Sequence, residues 1–312
     1  MVIYIISDGK KGHLSQTRGL AQALQKRLAE LRPASTTNCY EVDISSMGFF
    51  AKLMYTGKGL PYPKPDLILC AGHSTHIAAL RLAHHCRCLC MACMKPSLPL
   101  RLFDLCIIPR HDFPQKAPHS GRILLTNGAP NAIVPQPDRE KKETLLLIGG
   151  PSKEFGWDED YILTQLTTIT RYNTGQMTLT TSRRTPKDFV QALISACPSI
   201  RIEPVETTGS TWVADHLACA KEVWVTQDSV SMVYEALSSG APVGIIEMPA
   251  HPKRAGKAPS RVARGLHTLI EEGYASTFTQ WAQSRTLRQS APLNEAARAA
   301  DYILTHFPKL LT

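Results

Sequence analysis

The chain has 312 residues, of which 43% are hydrophobic and 20% charged, and its formal net charge at neutral pH is +9. This length is enough for two domains, and the composition is that of a soluble globular protein. The positive charge suits anionic partners, but we do not expect nucleic acid, because basic residues are scattered and only 7% of residues are aromatic. No run approaches the roughly 20 apolar residues that span a bilayer, and residues 1–10 do not resemble a signal peptide.

Short apolar strands alternate with amphipathic helices in the first half of the chain. Strands are predicted at residues 2–7, 39–44, 66–71, 88–94, 105–109 and 122–126, and helices at 15–31 and 74–85. This alternation is typical of βαβ units and a parallel sheet. A polar, proline-bearing stretch over residues 130–142 then predicts a linker. We expect an N-terminal, acceptor-side domain over residues 1–135.

The same pattern restarts after the linker. Strands are predicted at residues 144–148, 177–181, 200–203, 223–226 and 243–247, and helices at 158–171, 186–196 and 294–307, with a further helix that opens at residues 226–229 and closes at Gly240. We expect a second domain over residues 143–290 and a C-terminal helix within residues 291–312 that packs back on the first domain. The predicted fold class is α/β, with two Rossmann-like doubly wound domains and an interdomain cleft.

The most informative stretch is residues 223–243. A buried strand runs directly into Thr226, Gln227, Asp228 and Ser229, which open a helix that Gly240 closes. Amides and partial positive charge at such an opening form an anion cradle, and a carboxylate one turn further along can meet a ribose. The alternative is an ordinary well-capped helix. The predicted donor-binding residues here are Thr226, Gln227, Asp228, Ser229, Val230, Ser231, Met232 and Glu235.

Two further loops of the second domain follow strands and are small or basic. Because ligands bind at the carboxyl ends of parallel strands, and two arginines can clamp a diphosphate, we place these loops at the same nucleotide site. A solvated basic turn is the alternative for the arginines. The added donor-binding residues are Gly149, Gly150, Ser152, Lys153, Ser182, Arg183 and Arg184.

In the first domain, the loop after strand one offers two general bases, Asp8 and His13. Its glycines permit a tight turn and close backbone approach, and its spacing is not that of a P-loop. A surface histidine and a turn-capping aspartate are the alternative. A second loop places His73 at a strand end and Thr75 at a helix start. The predicted acceptor-side residues are Gly9, Lys10, Gly12, His73 and Thr75.

No metal is expected. Cys86, Cys88 and Cys90 alternate in a predicted strand, which puts them in one row on one face, a poor start for a tetrahedral site. Buried structural cysteines in a reducing compartment are the better interpretation. Residues 158–160, a run of three acids, are explained by a helix N-terminus.

Residues 48–63 mix aromatic residues, leucines and methionine with lysines. If exposed, this segment could touch a membrane surface or a lipid-bearing acceptor. The alternative is a short helix packed on its sheet.

Six ordered segments carry a family resemblance: SDGKKGHLSQTRGLAQAL, DLILCAGHSTH, LPLRLFDLCIIPRHD, LLIGGPSKEFGWD, TSRRTP and TQDSVSMVYEALSSGAPV. Together they resemble the mitochondrial-fission Elm-type family, whose bacterial members look like GT-B glycosyltransferases and whose plant member acts in organelle division. The resemblance runs from near residue 5 to near residue 275. The chain departs from the family pattern at Lys11, where proline is usual, at Gln227, where an acid is usual, and over residues 256–264, which lack a basic–aromatic run.

The resemblance implies a GT-B architecture with a nucleotide-sugar donor on the second domain and a glycan or glycolipid acceptor facing the first. The segment from Ser229 to Glu235 is also similar to the donor site of the peptidoglycan transferase that adds N-acetylglucosamine to a lipid carrier. By that likeness Glu235 holds the ribose, residues 229–232 hold the diphosphate, and Gly12 and His13 sit at the acceptor side.

We therefore expect a metal-independent glycosyltransferase that uses no cofactor and acts on a cell-envelope glycan such as lipopolysaccharide core. We expect it in the cytoplasm, with peripheral contact at the inner membrane. A nucleotide-sugar epimerase and a non-catalytic adaptor of the organelle-fission type stay open. The donor base, the sugar, the acceptor, the stereochemistry and the oligomeric state do not follow from the sequence.

Overall fold

The computed structural model describes residues 1–113, 117–118, 120–254 and 256–311. The chain divides into two compact units, one formed by Met1–Ala132 with Asn294–Thr312 and the other by Ile133–Leu293. Each unit holds a six-stranded sheet whose strand pairs are all parallel. The two parallel sheets confirm the predicted α/β class.

The first unit builds its sheet in the order β2-β1-β3-β4-β5-β6. Strands β3 to β5 are fully buried apolar runs, as expected of parallel strands covered on both faces. The elements are β1 (Val2–Ser7), α1 (Lys11–Leu31), β2 (Asn38–Asp43), α2 (Phe49–Leu53), β3 (Leu67–Ala71), α3 (His76–Cys86), β4 (Leu89–Cys93), β5 (Leu105–Pro109) and β6 (Ile123–Thr126).

Two helix boundaries in this unit differ from the predicted ones. Helix α1 begins at Lys11, four residues before the predicted start, because Gly9 adopts a positive φ of 75° and turns the chain directly from β1 into the helix. Helix α3 ends at Cys86 and β4 begins at Leu89, so of Cys86, Cys88 and Cys90 only Cys90 lies in the strand, and the predicted row of three is wrong. Arg87 closes α3 in the left-handed conformation.

The second unit builds its sheet in the order β12-β11-β10-β7-β8-β9. Its core gathers around Trp224, Phe189 and Leu166. The elements are β7 (Glu143–Leu147), α4 (Glu159–Tyr172), β8 (Gln176–Thr180), α5 (Lys187–Ala196), β9 (Arg201–Glu203), α6 (Trp212–Cys219), β10 (Ala220–Thr226), α7 (Val230–Ser239), β11 (Val243–Ile246), α8 (Arg261–Glu271), β12 (Ala275–Thr277) and α9 (Phe278–Ser284). The sequence analysis does not predict α6, α8, β12 or α9.

The last helix, α10 (Glu295–His306), belongs to the first unit. Its buried face, which includes Ala299 and Ile303, joins the cluster formed by Leu20 and Leu24 of α1. Buried Glu295 accepts a hydrogen bond from the Asn127 amide at 2.8 Å. The part of the chain that the structure describes contains no helix long and apolar enough to cross a membrane.

Candidate active site

In both units, loops that carry polar and charged side chains lie at the point where the strand order reverses. In the first unit β1 lies between β2 and β3, and in the second β7 lies between β10 and β8. Ligands of open α/β sheets bind at the carboxyl ends of the strands at such switch points, where neighbouring loops diverge. The loops after β1, β3, β7 and β10 are four of the five selected from the sequence, and the fifth follows β8.

Asp8 follows β1 and its side chain is only 4% exposed. Its carboxylate accepts hydrogen bonds from the Ser74 hydroxyl at 2.8 Å, from His13 Nδ1 at 3.0 Å and from the Lys10 amide at 3.3 Å. Burial works to raise the pKa of Asp8, but the hydrogen bonds from Ser74 and His13 outweigh it, and the pKa lies below its ordinary value. Asp8 is therefore an ionised hydrogen-bond acceptor at neutral pH.

His13 lies in the first turn of α1 and is the residue that Asp8 orients. Because an ionised carboxylate can only accept, Nδ1 of His13 donates to Asp8, which leaves Nε2 as the acceptor of the neutral ring. Gly72, at a φ of 90°, makes room for this ring, since a Cβ there would lie 2.2 Å from His13 Nδ1. The predicted pair is thus brought together as a carboxylate–imidazole dyad, with His13 as the group able to accept a proton.

The other residues predicted for the acceptor side differ in their exposure and in what they contact. Gly9 forms the turn before α1, and Lys10 extends its ammonium to within 3.5 Å of Asp8 Oδ2. Gly12 is exposed, and a Cβ there would meet nothing within 4 Å. Thr75 is fully buried, and its hydroxyl donates to carbonyls at the end of β3. Thr75 therefore supports the loop and does not present its side chain to a ligand.

His73 belongs to a cluster that the sequence analysis recognised only in part. Its Nδ1 lies 2.6 Å from the Ser97 hydroxyl, which is also 3.3 Å from Nδ1 of His76. His76 packs edge-on against Phe103 and is almost fully buried. Ser74 and Ser97 are polar residues just after β3 and β4, and the strand-end rule applied to every strand would have selected them.

Burial, reinforced by the nearby His73 and His13, lowers the pKa of His76 to about 4. A histidine in the unfolded chain has a pKa near 6.5. As the pH falls, His76 is therefore protonated in the unfolded chain while it is still neutral in the folded chain. Above pH 6.5 we expect the titration of His76 to leave the free energy of unfolding unchanged. As the pH falls from about 6.5 to about 4, it should lower the free energy of unfolding by about 3 kcal/mol. Urea unfolding measured across this range should show the loss, and His76→Phe should flatten it. A His76→Phe profile as steep as that of the natural protein would contradict this account.

Gly12 offers a second prediction, because packing does not require a glycine there. In the first turn of α1, Gly12→Ala should stabilise the fold by about 0.5 kcal/mol, since alanine favours a helix. If the glycine serves close approach of the acceptor, turnover should fall in the same variant. Denaturation and activity measured together separate these effects, and a more stable variant with undiminished turnover would remove Gly12 from the acceptor site.

In the second unit, Asp228 joins three loops. Its side chain is fully buried, and its carboxylate pairs with Arg184 at 2.6 Å and accepts from the Gly150 amide at 3.2 Å. A Cβ on Gly149 would lie 2.2 Å from Asp228 Oδ1, and one on Gly150 would lie 2.2 Å from the Arg184 carbonyl oxygen. The two glycines are therefore needed for this packing. Asp228 acts on any ligand through Arg184 and the loop, not by direct contact.

Thr226 has a similar supporting position. It is fully buried, and its hydroxyl accepts from the Gly149 amide at 2.6 Å. The loop after β8 is fixed by the Thr185 hydroxyl, which donates to backbone carbonyls at the end of β7. Ser182 accepts from the Arg184 amide at 3.1 Å. The carboxyl ends of β7, β8 and β10 thus form one rigid surface within this unit.

The opening of α7 is the part of this surface suited to an anion. Ser229 is its N-cap, but its hydroxyl makes no capping hydrogen bond, and the first turn contains no acidic residue. Asp228, the nearest carboxylate, is directed to Gly150 and Arg184. The amides of Val230, Ser231 and Met232 are therefore left without a capping side chain, as at helix ends that bind phosphate.

Glu235 lies on α7, six residues after Ser229, and is half-buried. The exposed Arg183 and Lys153 and the half-exposed Arg184 place positive charge on the loops of the same sheet end. The Ser152 hydroxyl accepts from the amides of Glu154 and Phe155 and so shapes its own loop.

Glu154 was missed by the sequence analysis. It accepts from the Ser260 amide at 3.1 Å and pairs with Arg254 at 3.2 Å, so it fastens the loop after β11 to the loop after β7. Burial works to raise the pKa of Glu154, but the hydrogen bonds from Ser260 and the charge of Arg254 leave it below its ordinary value. In sequence it reads as one exposed acid among many, because its partners are about 100 residues away.

Gln227 lines a cavity of about 460 Å³ together with Phe155 and residues of α8 that include Leu266 and His267. The Gln227 Oε1 accepts from the Met248 amide at 2.7 Å, so the side-chain NH₂ is directed away from Met248. The volume is that of a small-ligand pocket. Among the described residues no group of three or more His, Cys, Asp or Glu side chains could hold a metal ion.

Comparison with solved structures defines the class. The chain is similar to the UDP-GlcNAc 2-epimerase from Neisseria meningitidis bound to UDP-GlcNAc, at 13% identity and a TM-score of 0.52 over 99% of each chain. It is also similar to MurG from Acinetobacter baumannii, at 15% identity and a TM-score of 0.51 over 99% of this chain and 98% of that one. The fold is GT-B, as predicted.

Within that class the chain belongs to the family described as Mitochondrial fission ELM1, whose sequence model matches residues 11–307. This confirms the family resemblance. The chain is similar to the uncharacterized protein RP120 of Rickettsia prowazekii, at 27% identity over an alignment 359 positions long that covers 97% of this chain and 98% of that protein.

Proposed function

We propose that this chain is a glycosyltransferase that uses a nucleotide-sugar donor. The observation that supports this most is the uncapped opening of α7 directly after β10, with the neighbouring carboxylate of Asp228 turned away to Arg184. A diphosphate bound there would meet the first-turn amides and the positive charge of Arg184. Glu235 would hold the ribose hydroxyls.

The cavity beside Gln227 is the proposed place of the nucleoside end of the donor. Five of its ten lining residues are apolar, and hydrogen-bonding groups are offered by Gln227, Arg264, His267, Thr268 and Glu271. Two structural neighbours are a UDP-GlcNAc 2-epimerase bound to UDP-GlcNAc and MurG, which makes UDP-N-acetylglucosamine the first donor to test.

We assign the acceptor to the first unit, with His13 as the base. In an inverting transfer, Nε2 of His13 takes the proton of the acceptor hydroxyl while its oxygen forms a bond to the anomeric carbon. The bond from that carbon to the diphosphate oxygen breaks, and the leaving diphosphate keeps the electron pair. Ionised Asp8 stabilises the imidazolium that results.

In this proposal the negative charge that develops on the leaving diphosphate is stabilised by Arg184, Arg183 and Lys153 together with the α7 amides. The transfer is therefore proposed to need no metal ion and no cofactor. The acceptor we propose is a cell-envelope glycan or a lipid-linked sugar, reached from the cytoplasmic side.

An acceptor screen tests the transferase proposal. Purified protein incubated with UDP-N-acetylglucosamine and envelope glycan extracts should release UDP only when an acceptor is present. Conversion of the free nucleotide sugar into an epimer without acceptor would establish the epimerase instead. Nucleotide binding with no reaction in any mixture would favour the non-catalytic adaptor, which the family description also suggests.

A further inference from the structure

Helix α2 and the chain just after it expose an unusual amount of apolar surface. Phe49 is 61% exposed, Phe50 80%, Leu53 40% and Met54 71%. We call these four side chains the apolar ridge. Isolated exposed apolar residues are ordinary, but four within six positions form a patch that calls for a partner. The predicted alternative, a short helix packed on its sheet, does not describe these side chains.

The ridge is not a loose end of the core, because the same segment has separate inward anchors. Met47, Tyr55 and Leu60 pack against the core cluster on one face of the first sheet. Tyr62 stacks on Tyr40 with ring centroids 4.3 Å apart. The segment is thus held down on both sides of the ridge, and the ridge side chains are left on the outer face.

A cavity of about 480 Å³ is lined in part by the segment that follows the ridge, starting with Thr56, two residues after Met54. Its wall includes Lys58, Lys64, His85 and Tyr62, and none of the described residues that line it is acidic. Neither lysine forms an ion pair with a described carboxylate. From Ile44 to Pro65 the sequence contains three lysines and no Asp or Glu.

We propose that the apolar ridge and this lysine-lined cavity form a docking site for an anionic phospholipid bilayer. The ridge enters the acyl boundary, while Lys58 and Lys64 meet headgroup phosphates. Charge complementarity argues for this occupant, because an apolar patch followed by a cavity with Lys58 and Lys64 on its wall matches a surface that is apolar below and negative above. The inference is independent of the proposed transferase activity.

Vesicle co-sedimentation of the full chain tests the proposal. Binding should be at least about tenfold stronger to vesicles of phosphatidylcholine with phosphatidylglycerol than to phosphatidylcholine alone, and it should weaken with salt. The double variant Phe49→Ser with Phe50→Ser should lose about tenfold in binding. The pair Lys58→Ala with Lys64→Ala should lose about fivefold per lysine and most of the salt dependence.

Matched variants elsewhere on the surface serve as controls. Leu31→Ser with Ile194→Ser removes apolar residues that are 61% and 46% exposed, and Lys26→Ala with Lys187→Ala removes two exposed lysines. Both should bind vesicles as the natural protein does. Equal binding to neutral vesicles, absence of binding, or equal losses in the controls would overturn the proposal. So would light scattering that shows a dimer which the phenylalanine variants dissociate, since the ridge would then bind a second copy.

Discussion

Replacing His13 by alanine is expected to lower turnover of the sugar-transfer reaction by about a thousandfold, the range typical of a general base. The reason is geometric: Asp8 fixes Nδ1 of the ring, so Nε2 is the available acceptor of a proton. Turnover with both substrates saturating checks this. A donor titration at saturating acceptor gives KM for the donor, which should change little because His13 is assigned to the acceptor.

The matched variant is Asp8→Asn, which keeps the shape but removes the charge. It should lower turnover by about a hundredfold, since the imidazolium that forms is no longer stabilised. Gln22→Ala, an exposed change on the same helix, is the control and should leave turnover unchanged. Full activity in the His13→Ala protein, with its fold intact, would remove the dyad from the mechanism.

Replacing Arg184 by methionine is expected to lower the unfolding free energy by about 2 kcal/mol and the affinity for a nucleoside diphosphate by at least about tenfold. The stability loss follows because Asp228 is fully buried and would keep its charge without a partner. The expected loss of unfolding free energy is smaller than for a fully buried ion pair, because the Arg184 side chain is 43% exposed. Urea unfolding and calorimetric titration measure the two effects.

Two further variants make this prediction specific. Adding Asp228→Asn to Arg184→Met should restore part of the stability but not the affinity, because it removes the uncompensated charge and leaves the diphosphate without its arginine. Arg183→Met, at an exposed neighbouring position, should leave stability unchanged. If the double variant is less stable than the sum of the single changes, the pair does not hold the loops as described.

The alternation of strands and helices was readable from the sequence wherever apolar runs were long. Strands β1 and β5 match their predicted bounds, because each is a short apolar run ended by a turn signal. The start of α1 was predicted too late, since Gly9 and Gly12 read as loop while the structure uses Gly9 to turn into the helix at once. Helices α6 and α9 were missed because they span only eight and seven residues. Helix α8 has eleven residues with Leu266, Leu269 and Ile270 at helical spacing, so its pattern was present in the sequence and was overlooked.

The loops of the candidate site could be located from the sequence, but not the task of each side chain. The strand-end rule selected Asp8, His13 and Asp228, which do lie at the switch points. It could not show that Thr75 turns its hydroxyl to the carbonyls of Ala71 and Gly72, because that depends on the local backbone path. It could not show that Asp228 is buried under Arg184 either, because that contact joins loops distant in the chain. Glu154 was missed for the same reason.

Calorimetric titration of the full chain with a panel of nucleoside diphosphates tests the central claim most directly. The account predicts that at least one of them binds, that Glu235→Ala weakens its binding about tenfold or more, and that Glu272→Ala, an exposed carboxylate of the same unit, does not. Failure of every nucleoside diphosphate to bind the natural protein would contradict the account, because the opening of α7 would then hold no diphosphate.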